Sequence, residues 1–528
     1  MKPAASSARY DAVIVGAGHN GLACACYLAA RGLSVCVLER RQVVGGAAVT
    51  EEFHPGFRNS LASYTVSLLH PRVIADLRLA EHGLRIVERP FANFLPLPDG
   101  DALRVGGGIE ATQREVARFS KRDAQRLPDY YARLEAVAEV ARALMLETPP
   151  NVGGGLGELL AAWRAGNALR RLPRAAQRDL LDLFTVPASE WLGRWFESDP
   201  IQACFGFDSV VGHFASPHDP GTAYVLLHHV LGEVNGKRGA WGHAIGGMGT
   251  ITQAMRKEAE ARGVEIRTGV AVKRILHSQG RVRGVELAEG GEVEAVRVVS
   301  NAHPQWLLAA LPELGGEWRE PFQAYRSESA TFRMNVALRE LPRFSAAPEP
   351  GEHLRSGIIM APSLAFMDRA HATARERGWS EEPIVEMLIP STVDDSLAPT
   401  GKHVASLFCQ HFRYALPDGR SWDNERESAA DAIVAQVERF APGFSASILA
   451  RRILSPADLE SELGLVGGDI FHGKLVLNQL FSARPALGYA DYRMPLAGLY
   501  LCGSGAHPGG GVTGLPGRNA AREILRDR

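Results

Sequence analysis

Gly16, Gly18 and Gly21 stand in the spacing G-x-G-x-x-G, with His19 and Asn20 between the last two, and Glu39 closes the apolar run that follows. Residues of these types at these distances can hold a dinucleotide. Gly16 permits a tight turn, Gly18 removes a side chain so that a pyrophosphate can reach the backbone, and Gly21 lets a helix pack closely on a strand. Glu39 lies eighteen residues after Gly21, where its carboxylate can accept from both ribose hydroxyls and repels a 2′-phosphate, which disfavours NADP. After Arg40, Arg41 precedes Gly45-Gly46-Ala47 by four. A guanidinium followed by a diglycine turn suits a second contact to the pyrophosphate, although a plain surface turn has the same composition.

These residues need a strand, a helix and a second strand to position them. Ala12 to Val15 reads as a buried parallel strand, and the run from Leu22 to Arg31 reads as a helix with Gly32 as its stop. Val35 and Val37 form the second strand, ending at Glu39. The helix N-terminus, with its unpaired N–H groups and positive dipole end, favours phosphate.

The rest of the composition narrows the function. Of 528 residues, 46% are hydrophobic and 22% charged, as in ordinary globular proteins, and the length suits several domains. A formal net charge of −1 gives no footprint for nucleic acid. No run of eighteen apolar residues predicts a spanning helix, and Met1 to Arg9 lacks the apolar region of a secretory signal and reads as a disordered lead. The six cysteines form no C-x-x-C pair, which argues for a reducing, cytoplasmic setting and against dithiol redox chemistry. No metal-ligand spacing is present.

Further along, Val116, Phe119, Leu127, Tyr130, Leu134, Val137, Val140 and Leu144 recur at helical intervals, and Pro128 is expected to split the run into two helices. A third helical region, Leu156 to Phe184, carries Arg164, Arg170, Arg171, Arg174 and Arg178. Its basic face reads as a solvated surface beside a lid, with peripheral contact to anionic lipid as the alternative. Phe207 to Val230, rich in aromatics and histidines, is expected to border a substrate tunnel. Gly246-Gly247-Met248-Gly249 lacks a strand before it and an acid-ended strand after it, so it is a poor second dinucleotide site. A strand from Val270 and a hairpin of Arg281–Leu287 with Glu292–Val299 follow, with Val270 or Val272 placed to cover an adenine and Asn301 where the chain returns. Residues 305–480 read as an antiparallel sheet with covering helices.

The fingerprint, the terminal acid and R-x-x-x-G-G resemble the FAD-binding start of the flavin amine oxidase superfamily. Gly16-Ala-Gly-His-Asn-Gly-Leu22 with Gly45-Gly-Ala-Ala-Val-Thr-Glu-Glu52 is similar in particular to its phytoene desaturase and carotene ketolase branch. The strongest motifs are 11–52, 239–250 and 498–521. The resemblance implies an α/β fold, with a Rossmann-type FAD-binding domain assembled from 1–80, 240–310 and 485–528. A discontinuous substrate domain of antiparallel sheet plus helices would comprise 81–239 and 311–484, with a helical lid or membrane-facing part at about 111–205. It brings Gly246, Gly247 and Met248 close to a flavin ring and makes Trp241 a channel wall. It also sets Gly503 and Ser504 near the ribityl and phosphates, and Gly510, Gly511 and Val512 at the flavin N1–O2 edge. Gln479 and Arg484 are expected to face the substrate. The implied activity is dehydrogenation of an apolar, isoprenoid or polyene-like small molecule by hydride transfer to flavin N5, with oxygen or a quinone as acceptor. Spacing singles out no general base, and His243, His472 and His507 are the candidates. Alternatives on the same scaffold are a ketolase or isomerase, an amine oxidase using Lys237 or Lys474, a nicotinamide-dependent reductase and an FAD-holding scaffold. Oligomeric state is open.

Overall fold

The computed structural model describes residues 9–527 of the chain; the reading of Met1 to Arg9 as a lead lies, but for Arg9, outside the described residues. The apolar run after Arg9 forms the strand Tyr10–Val15, which pairs in parallel with Val35–Glu39 on one side and Glu292–Ser300 on the other. Glu265–Thr268 extends this sheet beyond Val35–Glu39, and Leu499–Leu501 extends it beyond Glu292–Ser300. Five parallel strands from three stretches of sequence therefore share one sheet. An antiparallel hairpin, Val272–Ser278 with Arg281–Leu287, continues it through the first residues of Glu292–Ser300. Gly290 and Gly291, at φ +94° and +91°, make the turn that a side chain would strain.

The helix His19–Ala29 packs against Gly249–Ala261 and against the last helix, Leu515–Arg526. The contact with the last helix is so close that a Cβ on Gly517 would lie 2.0 Å from the Asn20 carbonyl oxygen. Asn20 Nδ2 also donates to Ser504 Oγ at 3.1 Å. The two ends of the chain thus close one sheet and meet at its glycine loops.

A second sheet of seven strands has the order Ile448–Leu454, Phe332–Leu338, His403–Phe412, Trp379–Leu388, Gly357–Met360, Asn93–Pro96, Ala102–Val105. Asn93–Pro96 joins in parallel to Gly357–Met360, so the sheet is mixed rather than purely antiparallel. Helix Trp422–Phe440, capped by Ser421, covers it.

Pro128 does not split the helical run. One helix spans Lys121–Met145 with Pro128 inside it, after a separate helix Ile109–Val116. The ring removes the N–H that would bond the Ala124 carbonyl, and Gln113 Nε2 donates to that oxygen at 2.8 Å instead. The break falls at Ser120, whose side chain caps the helix by accepting from the Asp123 N–H. The third region is two helices, Leu156–Arg170 and Arg174–Thr185, parted at Pro173. No helix among the described residues is long and apolar enough to cross a membrane.

Candidate active site

A cavity of about 570 Å³ runs from the carboxyl ends of the parallel strands to the face of the second sheet. That volume falls in the range of pockets that enclose small ligands. Its outer part is built from the first glycine loop. Gly16 takes φ +97°, and a Cβ on Gly18 would lie 2.8 Å from Asn301 Nδ2, so the turn and Asn301 meet with no room for a side chain. Gly21 lies behind the wall: its Cβ would fall 2.2 Å from the Gly16 carbonyl oxygen. Gly45 bridges to Gly18, and Gly46, at φ +55°, rests its Cβ direction 3.4 Å from the Gly18 Cα, so the two glycine turns abut.

The charged groups follow from these turns. Glu39 is 7% exposed at its strand end and accepts from the Ala17 and Arg41 N–H groups at 2.8 and 3.0 Å. Two amides leave about half of the lone pairs of a carboxylate for a ligand. Arg41 Nη2 pairs with Glu51 at 2.5 Å, while its Nη1 is buried without a partner among the described residues. His19 Nε2 and Asn20 Oδ1 are orphaned in the same way. Burial, with His472 nearby, pushes His19 down to about 3, so it stays neutral. Buried polar atoms are rarely left unpaired. These three line one wall together with Gly16, Gly18 and Glu39, and an anionic, hydroxyl-bearing nucleotide would satisfy them. Arg40, Ala47, Val270, Val272, Asn301, Ser504, Gly511 and Val512 line the same cavity. The residues present fit a dinucleotide such as FAD.

Several expected residues lie off the cavity wall. Gly246, Gly247 and Met248 lead into the helix Gly249–Ala261, and the Met248 N–H is bonded to Ser60 Oγ at 2.9 Å, with Met248 buried in the core around the parallel sheet. Gly503 abuts the Asn301 backbone, and Gly510 abuts Phe471, where a Cβ would lie 2.6 Å from one and 2.8 Å from the other. Gln479 is turned inward onto the backbone of Arg326 and Lys474. Arg484, wholly buried, donates to the carbonyls of Phe471, His472, Gly473, Gln479 and Ser504, so it ties two wall segments together and has no reach to a substrate.

Of the candidate histidines, only His472 lines the cavity; burial and the Arg484 charge lower it to about 4. His243 Nε2 sits 2.9 Å from Asp394 Oδ2 on a different face. Burial pushes Asp394 up, but hydrogen bonds from His243, Ser396 and the Gly246 N–H outweigh it and hold the carboxyl at about 2. His507 Nε2 bonds the Leu144 carbonyl at 3.0 Å, at the end of the long helix. Trp241 lines the cavity, stacked on His229 with ring centroids 6.0 Å apart.

The segment from Phe207 to Val230, expected to border a substrate tunnel, supplies Phe207, Asp208, Val211, His228 and His229 to the cavity wall, whereas the charged groups of the inner chamber were not singled out from sequence. Phe207, Val211, Phe408, Leu68, Ile470 and Phe471 make it apolar, and Tyr64, Arg89, Asn93, Asp208 and Glu386 enter it. Tyr64 lies on Phe408 at 5.0 Å between centroids and donates to Glu386. Arg333, behind them, stacks on the Tyr64 ring at 4.6 Å. Burial raises Glu386, while Arg89, Tyr64 and Arg333 pull it back. The available signal was a charged residue inside an otherwise apolar strand, as in Ile384-Val-Glu-Met-Leu388 and Phe332-Arg-Met334.

Residues 21–328 match the family described as flavin containing amine oxidoreductase, and residues 241–457 match the FAD dependent oxidoreductase family. The chain is 42% identical to pyridine nucleotide-disulfide oxidoreductase domain-containing protein 2 of Rattus norvegicus, over 98% of this chain and 94% of that protein. It is 28% identical to the hydroxyneurosporene desaturase of Cereibacter sphaeroides, over 98% and 97%. Putrescine oxidase bound to putrescine shares the fold at TM-score 0.58 and 17% identity, over 98% of this chain and 99% of that one.

Proposed function

From the premise that this chain belongs to the flavin containing amine oxidoreductase family and is an FAD-dependent oxidoreductase, we propose that it dehydrogenates a substrate with an apolar, isoprenoid- or polyene-like body. The observation that carries this reading is the single cavity joining the glycine loops to an aromatic and aliphatic chamber. On this reading Glu39 holds the ribose, Arg41 and the N-terminus of His19–Ala29 hold the pyrophosphate, Val270 and Val272 flank the adenine, and Gly511 and Val512 border the ring. When bound, FAD would supply a hydride acceptor at N5, with oxygen or a quinone as the final oxidant. The chain's own contribution is orientation and exclusion of water: Trp241, Phe207, Val211 and Phe408 leave a substrate carbon few competing partners. The hydroxyneurosporene desaturase named above supports a polyene body. No lysine lines the cavity among the described residues, and Lys237 is paired with Glu88 at 2.6 Å on the surface, which weighs against the amine oxidase alternative.

The test is an absorbance spectrum of the purified protein followed by anaerobic titration with a polyene, with product mass as readout. A flavin spectrum, bleaching by the polyene and a product lighter by two hydrogens are expected. A gain of oxygen would mean a ketolase, an unchanged mass an isomerase, rapid bleaching by NADH a reductase, and a colourless protein would remove the reading altogether.

We further propose that the two-helix segment rests on an anionic membrane surface. Leu156 is 81% exposed and Trp163 65%, with Leu159, Leu160 and Val152 beside them, and Arg164, Arg170, Arg171, Arg174 and Arg178 are exposed around them. Apolar anchors flanked by cations bind at the interface of anionic lipid. Flotation with phosphatidylserine vesicles at low salt should carry the protein upward, and Leu156→Glu with Trp163→Glu should leave it at the bottom. Equal flotation of both would discard the idea.

A further inference from the structure

Arg89 is a charged group of the inner chamber with donors to spare. Its Nη2 donates to Thr65 Oγ1 at 2.5 Å and its backbone N–H donates to the Trp241 carbonyl at 3.1 Å. It forms no ion pair among the described residues, although it lines a cavity walled by Phe207, Val211 and Phe408. Its neighbour Arg333 differs: that guanidinium donates to the Leu61 and Leu407 carbonyls and to Ser406 Oγ, and it lies on aromatic faces. Arg89 is half-buried, and a guanidinium partly withdrawn from water is best met by an anion or several acceptors.

The two chamber carboxyls do not fill that role. Glu386 accepts from Tyr64 and is shared in its field by Arg89 and Arg333, so one carboxylate faces two guanidiniums. Asp208 has no hydrogen-bond partner among the described residues, and burial, with the Glu386 charge nearby, pushes it up to about 8. Near neutral pH the chamber therefore presents unspent N–H groups of one guanidinium and one carboxylic acid that can donate. A primary ammonium would meet excess positive charge there. A carboxylate would meet a two-pronged donor that matches its shape.

We propose that the inner chamber recognises a carboxylate on an otherwise apolar substrate, with Arg89 as its anchor. This rests on the dehydrogenase reading, since it names the substrate end that the same cavity takes. It sets the substrate class as an amphipathic carboxylic acid, whose apolar body would lie along Trp241 towards Gly511 and Val512.

The experiment uses the FAD-loaded full chain at pH 7 with octanoate, octanol and octylamine as probes, read as saturable perturbation of the flavin absorbance. Octanoate should bind at least about tenfold more tightly than either of the others. Arg89→Met should lose that tenfold for octanoate and leave octanol unchanged, with Arg89→Lys recovering part of it; flavin content of each variant is measured alongside. Should Arg89→Met lose its flavin, the wild-type ratio of octanoate to octylamine decides alone. Octylamine binding as tightly as octanoate, or octanoate binding unaltered in Arg89→Met, overturns the inference. Because binding is read without turnover, a chain that prefers octanoate yet dehydrogenates no polyene sinks the earlier reading and leaves this one standing.

Discussion

Asp208 shows how a single residue is set by its surroundings. It follows Phe207 and opens onto the cavity, with Glu386 on the facing strand and Tyr130, Tyr131 and Cys204 on the helices behind. Those last three are neutral near pH 7, so burial and the Glu386 charge keep the proton on Asp208 up to about pH 8. An unfolded aspartate releases its proton near pH 3.9. Between those values the unfolded chain binds fewer protons than the native one, so this group costs stability increasingly from about pH 4 to pH 8. Asp208→Asn should therefore raise the melting temperature more at pH 8 than at pH 6. A rise of equal size at both would show that the carboxyl does not titrate in this way.

At the scale of elements, the helix Lys121–Met145 survives an internal proline because another helix supplies the missing donor. Ala124 is buried and its carbonyl oxygen accepts from Gln113 Nε2 at 2.8 Å. Gln113→Leu should leave that oxygen unsatisfied and cost about 1–3 kcal/mol, as an unpaired buried acceptor does. Denaturant unfolding should show the lower midpoint. If Pro128→Ala is added, the helix regains its own N–H donor for the Ala124 oxygen and part of the loss should return.

For the whole molecule, burial of histidines sets the acid limit. His19 and His228 are lowered to about 3, and His229, His472 and His507 to about 4, each chiefly by burial. In the unfolded chain they take up protons near pH 6.5. Stability that these neutral rings contribute is complete above pH 6.5 and is lost as pH falls toward 4. At pH 5 each accounts for roughly 2 kcal/mol of loss. Several such losses approach the net stability of an ordinary domain. Thermal unfolding followed from pH 7.5 to 5 should show a steep drop below pH 6.5; a flat profile would mean these rings are protonated in the native state.

The sequence by itself determined the nucleotide-binding framework, because strand, turn and helix there are local events. The spacing of Gly16, Gly18 and Gly21, the alternation that ends at Glu39 and the loop after Leu499 can each be read within about thirty residues. It also placed the hairpin at Gly290-Gly291 and most strands of the second sheet, where β-branched and aromatic runs announce themselves. What only the tertiary structure decided are pairings between distant residues. Gln113 rescues Pro128 from across a helix interface, Arg484 is consumed by five carbonyl groups, and His243 is claimed by Asp394, 151 positions away. The chamber groups Tyr64, Arg89, Asp208 and Glu386 come from four separated segments. No spacing rule links them, since two loops and a short turn bring Tyr64, Arg89 and Asp208 onto the strand that carries Glu386, and burial together with their mutual charges then sets which of them is ionised.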